Sequence, residues 1–269
     1  MFKNKIQTEP IPERIFALYK VMRVEKNIEK IKLQEMLTPS FLNNSEYFSK
    51  TLQVASDLEL VIMNDNNVIL NNQIEILNTI EDLRKYVNSL WGSKFSEGPF
   101  SKVTQCIFDA GRDCLRYSTV SQMVDTDIVP FVKDTREMLG WRFWASFLGL
   151  GVLTMPDKID RAPQPDNTKF LPNASKYLYD IIEQLDFEKN QTYDFEEFIN
   201  SLNSYAKPLV SKSIITKQIN FGLSNALRTL HNQNVIHLEF INDQKSVWML
   251  DKLEFHPIVD RVTHVTFLK

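Results

Sequence analysis

Two stretches of this chain repeat one rhythm of large apolar side chains, and that rhythm limits the folds open to it. In the first, Phe48, Leu52 and Ala55 precede the run Leu60-Val61-Ile62-Met63, a polar turn Asn64-Asp65-Asn66-Asn67, and Val68-Ile69-Leu70. In the second, Leu223, Leu227 and Leu230 precede Val235-Ile236-His237-Leu238, a polar stretch Asn242-Asp243-Gln244-Lys245-Ser246, and Val247-Trp248-Met249-Leu250. The leading anchors superpose at a constant offset: 48 on 223, 52 on 227, 55 on 230, 60 on 235 and 61 on 236. Apolar spacings of three and four, followed by β-branched runs around a polar turn, describe an amphipathic helix feeding a two-stranded hairpin. Such a helix and hairpin form the core of a winged helix, a fold used for recognition.

The elements upstream of the first stretch complete that pattern. Pro12 suits the first turn of a helix, and Ile11, Ile15, Leu18, Tyr19 and Met22 recur at helical spacing. A second short helix runs from about Glu29 to Leu37 and stops at Thr38-Pro39; Asn44 or Ser45 can cap the third. The expected fold is mainly α with small β-hairpins, an α+β chain of tandem winged helix-turn-helix modules flanking a helical middle. The boundaries follow from the punctuation. Residues 1–72 are the N-terminal winged helix. Residues 73–99 are a connecting helix and the linker Gly92-Ser93-Lys94-Phe95-Ser96-Glu97-Gly98-Pro99. Residues 100–190 are the helical middle, and 191–269 the C-terminal winged helix with a last strand at Val262–Phe267. Within the middle, 156–169 reads as an exposed proline-rich loop, and helices are expected over 173–185 and 195–205.

With 269 residues, 43% hydrophobic and 24% charged, the chain can build real cores and is not disordered in composition. Its net charge of −3 means that DNA binding would need a local basic patch. Cys106 and Cys114, roughly 12 Å apart along a helix, are too distant for a disulfide and read as small buried hydrophobes in a reducing compartment. The N-terminus lacks a signal-peptide core, and the longest apolar stretch, Phe143 to Leu153, is too short to span a bilayer. A soluble cytoplasmic protein without membrane association is the expectation.

The two copies differ in charge. Around the first recognition helix, Glu46, Asp57, Glu59 and Asp65 face one lysine, so Lys50, Gln53 and Asp57 are candidate contacts to a protein partner. Around the second, Asn225 and Arg228 are expected on the exposed side, opposite Leu223, Leu227 and Leu230. Lys212 and Lys217 precede that helix and Lys245 sits at the wing tip. These five residues are the candidate DNA contacts, with phosphates positioned by the cations and a base edge read by Asn225 or Arg228. Helix one also carries an excess of cations, Lys20, Arg23, Lys26, Lys30 and Lys32 among them, which suits either a phosphate backbone or a solvated face.

Catalytic signatures are missing. No Gly-x-Gly-x-x-Gly, Gly-x-x-x-x-Gly-Lys-Ser/Thr or Gly-x-Ser-x-Gly string occurs. The histidines have no metal-ligand spacing with the cysteines. Asp186–Glu197 spaces oxygen ligands like an EF-hand loop, but Gln191 stands where the sharp turn needs glycine. Asp251, Glu254 and His256 read as a solvated strand edge. Trp141, Phe143, Trp144, Phe147 and Leu148 read as core rather than as a base-stacking platform. No cofactor, no metal and no enzymatic activity are expected.

Several strings resemble those of the DpdG family, components of bacterial islands that place 7-deazaguanine derivatives in DNA and restrict foreign DNA. They are Pro12-Glu13-Arg14-Ile15-Phe16-Ala17-Leu18-Tyr19, Arg136 with Trp141-Arg142-Phe143-Trp144, Leu148-Gly149-Leu150-Gly151, and Phe198-Ile199-Asn200-Ser201-Leu202 running toward Pro208-Leu209-Val210 and the closing module. The resemblance implies a non-enzymatic, DNA-associated subunit of an anti-phage defence complex whose partners are other proteins of that complex. The acidic balance also suits a winged-helix or kleisin-like accessory subunit of an ATPase of the structural-maintenance-of-chromosomes type. A dimeric transcriptional regulator is a further alternative.

Overall fold

The structure is a computed structural model that describes residues 1–42, 45–154, 168–242, 246–254 and 260–269. It is mainly helical with small antiparallel sheets. Helix α1 (Pro12–Glu25) opens with proline in its first turn and buries Ile15, Leu18, Tyr19 and Met22. Strand β1 (Asn27–Glu29) leads straight into α2 (Lys30–Leu37), and a short turn at Ser40–Leu42 precedes α3 (Ser45–Asp57). Strands β2 (Val61–Asn64) and β3 (Asn67–Leu70) form a tight hairpin, and β1 pairs with β3 to give the order β1-β3-β2.

Helices α4 (Ile80–Lys94) and α5 (Pro99–Ala110) follow, then α6 (Thr135–Phe147) and the pair β4 (Gly151–Thr154) with β5 (Lys169–Pro172). The chain ends with α7 (Ser175–Ile182), β6 (Thr192–Asp194), α8 (Phe195–Thr216), α9 (Phe221–Asn232) and β7 (Ile236–Glu239). Strands β8 (Trp248–Met249), β9 (Arg261–Val262) and β10 (His264–Phe267) close it.

The repeat seen in sequence extends well past its anchors. The order α1-β1-α2-α3-β2-β3 recurs as α7-β6-α8-α9-β7-β10, and the sheet order β1-β3-β2 recurs as β6-β10-β7. Registers agree: Ile28 and Met63 flank Val68 as Tyr193 and Leu238 flank Val265. The corner after the third helix is the same in both copies. Glu59 and Asn234 take left-handed φ of 60° and 53°. The next amides, Leu60 and Val235, each donate to a carbonyl five residues back, Ala55 and Leu230, at 2.9 Å. This is the helix ending that spends a left-handed residue to satisfy the last carbonyls. All ten superposed anchors are buried.

The second hairpin departs from expectation. Residues 247–250 do not return along β7; that role falls to β10, while β8 pairs with β9. The apolar run around Trp248 signalled a strand correctly, but its partner lay beyond a longer excursion. The helices expected over 173–185 and 195–205 are α7 and the first half of α8. Helix α8 runs on through Pro208, with non-helical φ/ψ at Ala206. A proline cannot donate the amide that would continue the ladder. The Tyr205 carbonyl next to the break accepts instead from the Tyr177 hydroxyl at 2.6 Å. The expected 156–169 loop lies almost wholly outside the described residues.

The middle is packed into the second copy. The Gly92–Pro99 stretch is a corner between α4 and α5, not a free linker: Trp91, Gly92 and Phe95 are buried. A Cβ on Gly92 would sit 1.3 Å from the Tyr205 carbonyl oxygen, so only glycine lets α4 approach α8 this closely. Trp91, Trp141 and Trp144 are buried and donate to Ser101, Thr104 and the Pro10 carbonyl at 2.6, 2.9 and 2.7 Å, as core tryptophans should. Arg84 of α4 meets Asp180 of α7 in two parallel bonds of 2.8 and 3.1 Å, with Asn88 adding a third at 2.9 Å. Arg84→Ala would strand the buried Asp180 carboxylate and should cost about 3–5 kcal/mol of unfolding free energy. Urea denaturation measures it, and a loss under about 1 kcal/mol would contradict the role given to the pair.

Candidate functional site

The two copies present the same helix face under opposite conditions. With α9 laid on α3 at the anchor offset, Glu46 corresponds to Phe221, Ser49 to Ser224, Lys50 to Asn225 and Gln53 to Arg228. Glu46, Ser49 and Gln53 are exposed, whereas Phe221, Ser224 and Arg228 are buried. What covers α9 is the chain's own middle. A Cβ on Gly222 would meet the Phe108 ring at 2.5 Å and Pro172 at 2.9 Å. Ser224 accepts from the Asp251 amide, and Asn225 donates to the Pro172 carbonyl at 3.2 Å.

The expectation that Arg228 and Asn225 face outward is therefore corrected. Arg228 is 2% exposed and donates to Asp260 at 3.3 Å. Its Nε and Nη1 have no hydrogen-bond partner among the described residues. Burial lowers the guanidinium pKa, offset by Asp260 and Asp251 and reinforced by Arg112. Asn225 is half-buried against β5. Arg228 is not placed to reach a base edge. Sequence did carry a signal: Gly222, Ser224 and Ala226 on α9, with a single arginine among its twelve residues, mark a helix packed on more than one side.

Of the remaining DNA candidates, Lys212 and Lys217 lie among the described residues. Lys217 forms an ion pair with Glu196 and lies 4.4 Å from the Trp248 ring centre. Lys212 is exposed and donates to the Asp109 carbonyl at 3.2 Å. Lys245 lies outside the described residues. Lys212 edges a cleft of about 310 Å³ between the end of α5, α8 and the start of α9, which Arg112, Asp109, Asp113 and Asp251 also line. Its charges answer one another: Arg112 pairs with Asp251 at 2.7 Å, and burial raises the Asp109 carboxyl pKa against Lys212 and Gln105. With three carboxylates against two cations, this cleft does not attract phosphate.

The candidate docking residues of the first copy are likewise redistributed. Asp57 is 6% exposed, accepts from Gln53 at 3.1 Å and is no surface contact. Lys50 is half-buried between Glu9 at 3.0 Å and Glu46 at 3.5 Å. Gln53 is exposed. The missed feature is apolar. Ile31 (83% exposed), Met36, Phe41 (77%), Leu42 and Tyr47 are large side chains left in solvent along α2, the 40–42 turn and α3. Beneath Leu42 and Tyr47 lies a groove of about 290 Å³ lined by Arg14, Ala17, Leu37, Thr38, Phe48 and Thr51. Lys20, Lys26, Lys30 and Lys32 are exposed and form no ion pair among the described residues.

Within the Asp186–Glu197 segment, Thr192–Asp194 is a strand paired to β10. Asp251 is committed to Arg112, and His256 is outside the described residues. Among the described residues, no helix is long and apolar enough to cross a membrane and no group of His, Cys, Asp and Glu could hold a metal. Cys114 is buried, its thiol pushed up to about 11 by burial. The chain matches no family model, no curated protein and no solved structure.

Two measurements check this geometry. Arg228→Ala removes a packed side chain and should lower the unfolding free energy by about 2 kcal/mol or more, while duplex-DNA retention at low salt stays as in wild type. A retention loss without a stability loss would return Arg228 to the surface. The Glu9 carboxyl lies below its ordinary value: desolvation works against this, but the hydrogen bond and charge of Lys50 outweigh it. Its contribution is therefore present above the unfolded carboxylate pKa and lost as pH falls through the folded one. The stability gap between wild type and Lys50→Met should thus close on acidification, and a gap that widens would refute the pairing.

Proposed function

We propose that this chain is a non-enzymatic adaptor built from two winged-helix units, the first of which receives a partner protein within a multi-protein, DNA-directed complex. One observation carries the reading: the helix face that α9 uses to hold the chain's own middle is free on α3. In the second unit that face is a protein-docking surface already filled. In the first it stands open beside solvent-exposed Ile31, Phe41, Leu42 and Tyr47. Exposed apolar surface of this kind marks interaction sites. The winged-helix identity is supported by the helix-strand-helix-helix-strand-strand order and by the third strand lying between the other two in each sheet. The anti-phage setting is supported by the resemblance to the DpdG family, whose partners are other proteins of a defence complex. An accessory role beside an ATPase would use the same surface.

A second reading has its own support. Lys26, Lys30 and Lys32 flank β1 and open α2, next to the wing formed by β2 and β3, and Lys20 is exposed on α1. That patch suits contact with a phosphate backbone while α3 itself, flanked by Glu46 and Glu59, stays off the bases.

The test is a pull-down of the full chain from its native cells, with cross-links mapped onto it. Cross-links should concentrate between residues 30 and 57. Ile31→Glu combined with Phe41→Glu should abolish partner recovery while changing stability by no more than about 0.5 kcal/mol per site, as for other exposed positions. Full recovery with that pair would sink the adaptor reading for this face.

A further inference from the structure

The groove beside α3 has a chemistry that narrows what can fill it. Ala17, Leu37, Leu42, Tyr47 and Phe48 give it apolar walls. Thr38, Thr51 and Arg14 interrupt them, and the last two bear on what can bind. Thr51 is 4% exposed, and its hydroxyl finds no hydrogen-bond partner among the described residues. A buried hydroxyl left unpaired carries a desolvation cost that an incoming polar atom recovers. Arg14 is half-buried. Its guanidinium lies 4.2 Å from the Tyr47 ring centre and donates one bond, 2.7 Å, to the Glu9 carbonyl. It forms no ion pair among the described residues, and the carboxylates around it are engaged elsewhere. Glu9 and Glu46 hold Lys50, and Glu35 caps the Ser40 amide at 3.0 Å. Arg14 is a cation fixed by its ring contact with donors to spare.

The repeat shows what the corresponding place accepts. By the anchor offset, Tyr47 corresponds to Gly222, Phe48 to Leu223 and Thr51 to Ala226. Gly222 is where the Phe108 ring of α5 packs in the second unit. A helix delivering an aromatic side chain already fills that position within the molecule. In the first unit Tyr47 stands where glycine would be, so the entering side chain lodges beside Tyr47, and Thr51 and Arg14 replace apolar contact with polar recognition.

We propose that this groove binds a helical segment of a partner protein that presents one large apolar or aromatic anchor with a carboxylate within one turn of it. The anchor fills the apolar walls, the carboxylate pairs with Arg14, and a polar atom of the segment bonds the Thr51 hydroxyl. This follows the general mode in which an amphipathic helix lays its anchors into a groove. The proposal rests on the first unit being a protein-docking unit and adds the chemistry of what docks.

The probes are two helix-forming fluorescent peptides, identical except that a phenylalanine anchor is flanked by glutamates in one and by lysines in the other. Anisotropy against the full chain should detect the glutamate peptide alone. Ala17→Trp, which fills the groove from an exposed position, should abolish binding. Arg14→Glu should weaken the glutamate peptide by roughly tenfold or more, the loss expected when one partner of a partly desolvated charge pair is removed, and should let the lysine peptide bind. Thr51→Val keeps the side-chain volume and should raise stability while weakening the peptide; a purely structural Thr51 would move stability alone.

The proposal is overturned if both peptides bind equally, if neither binds, or if Ala17→Trp leaves binding intact. Self-association of the chain that Ala17→Trp abolishes would also overturn it, by making a second copy the occupant. Duplex DNA retention lost in the same variant would overturn it too. Partner recovery that survives Ala17→Trp but fails with Ile31→Glu and Phe41→Glu would reject this groove while leaving the adaptor function standing.

Discussion

The pairing of Arg84 with Asp180 deep between α4 and α7 organises the molecule. Taking both charges out of water costs several kcal/mol for each, and only good geometry with further hydrogen bonds offsets it. Here the guanidinium fork meets both carboxylate oxygens, and Asn88 adds a bond from α4 while also reaching the Leu148 carbonyl at the end of α6. Three segments far apart in sequence are thereby held in one register. Helix α7 opens the second copy of the repeat and α4 leaves the first, so the pair ties the copies together through the connecting helix. The close approach of Gly92 to Tyr205 of α8 repeats that tie one turn further along α4.

That arrangement explains why two copies of one unit have such different surfaces. Once α4 and α7 are locked, α5 and β5 fall across α9, and the outward face of the second copy becomes interior. Phe108 then packs on Gly222, and Arg228 is buried beside Asp260. Among the described residues, nothing lies across α3 of the first copy in the same way. Helix α3 keeps Glu46, Ser49 and Gln53 in solvent, and its neighbours leave Ile31 and Phe41 bare. A duplicated scaffold has thus become one closed unit that stabilises the chain and one open unit available for contact. The proposed adaptor function follows from that asymmetry rather than from any single residue.

Periodicity made the helix–hairpin anchors legible, because a buried stripe must recur every three or four residues wherever a helix meets a core. The tryptophans of α6 were legible as core for the same reason. The return strand of the second copy was not, since a strand's partner is chosen by long-range pairing, and both 247–250 and 264–267 have the β-rich character to serve. Arg228 misled more seriously. A cation between leucine anchors is outward-facing if the helix has one buried side, but α9 has cover on both, and only Gly222, Ser224 and Ala226 hinted at it. The apolar surface of the first copy escaped notice because isolated Ile31 or Phe41 in a polar stretch carries no period.

By itself, then, the sequence determined the local chemistry: where most helices lie and that one helix-and-strand unit occurs twice, because hydrogen bonding and apolar periodicity act over a few neighbours. Only the tertiary structure decided which copy is open. Whether a face meets water depends on what the rest of the chain lays across it. Here a buried ion pair and a glycine contact bring α5 and β5 over α9 while leaving α3 uncovered.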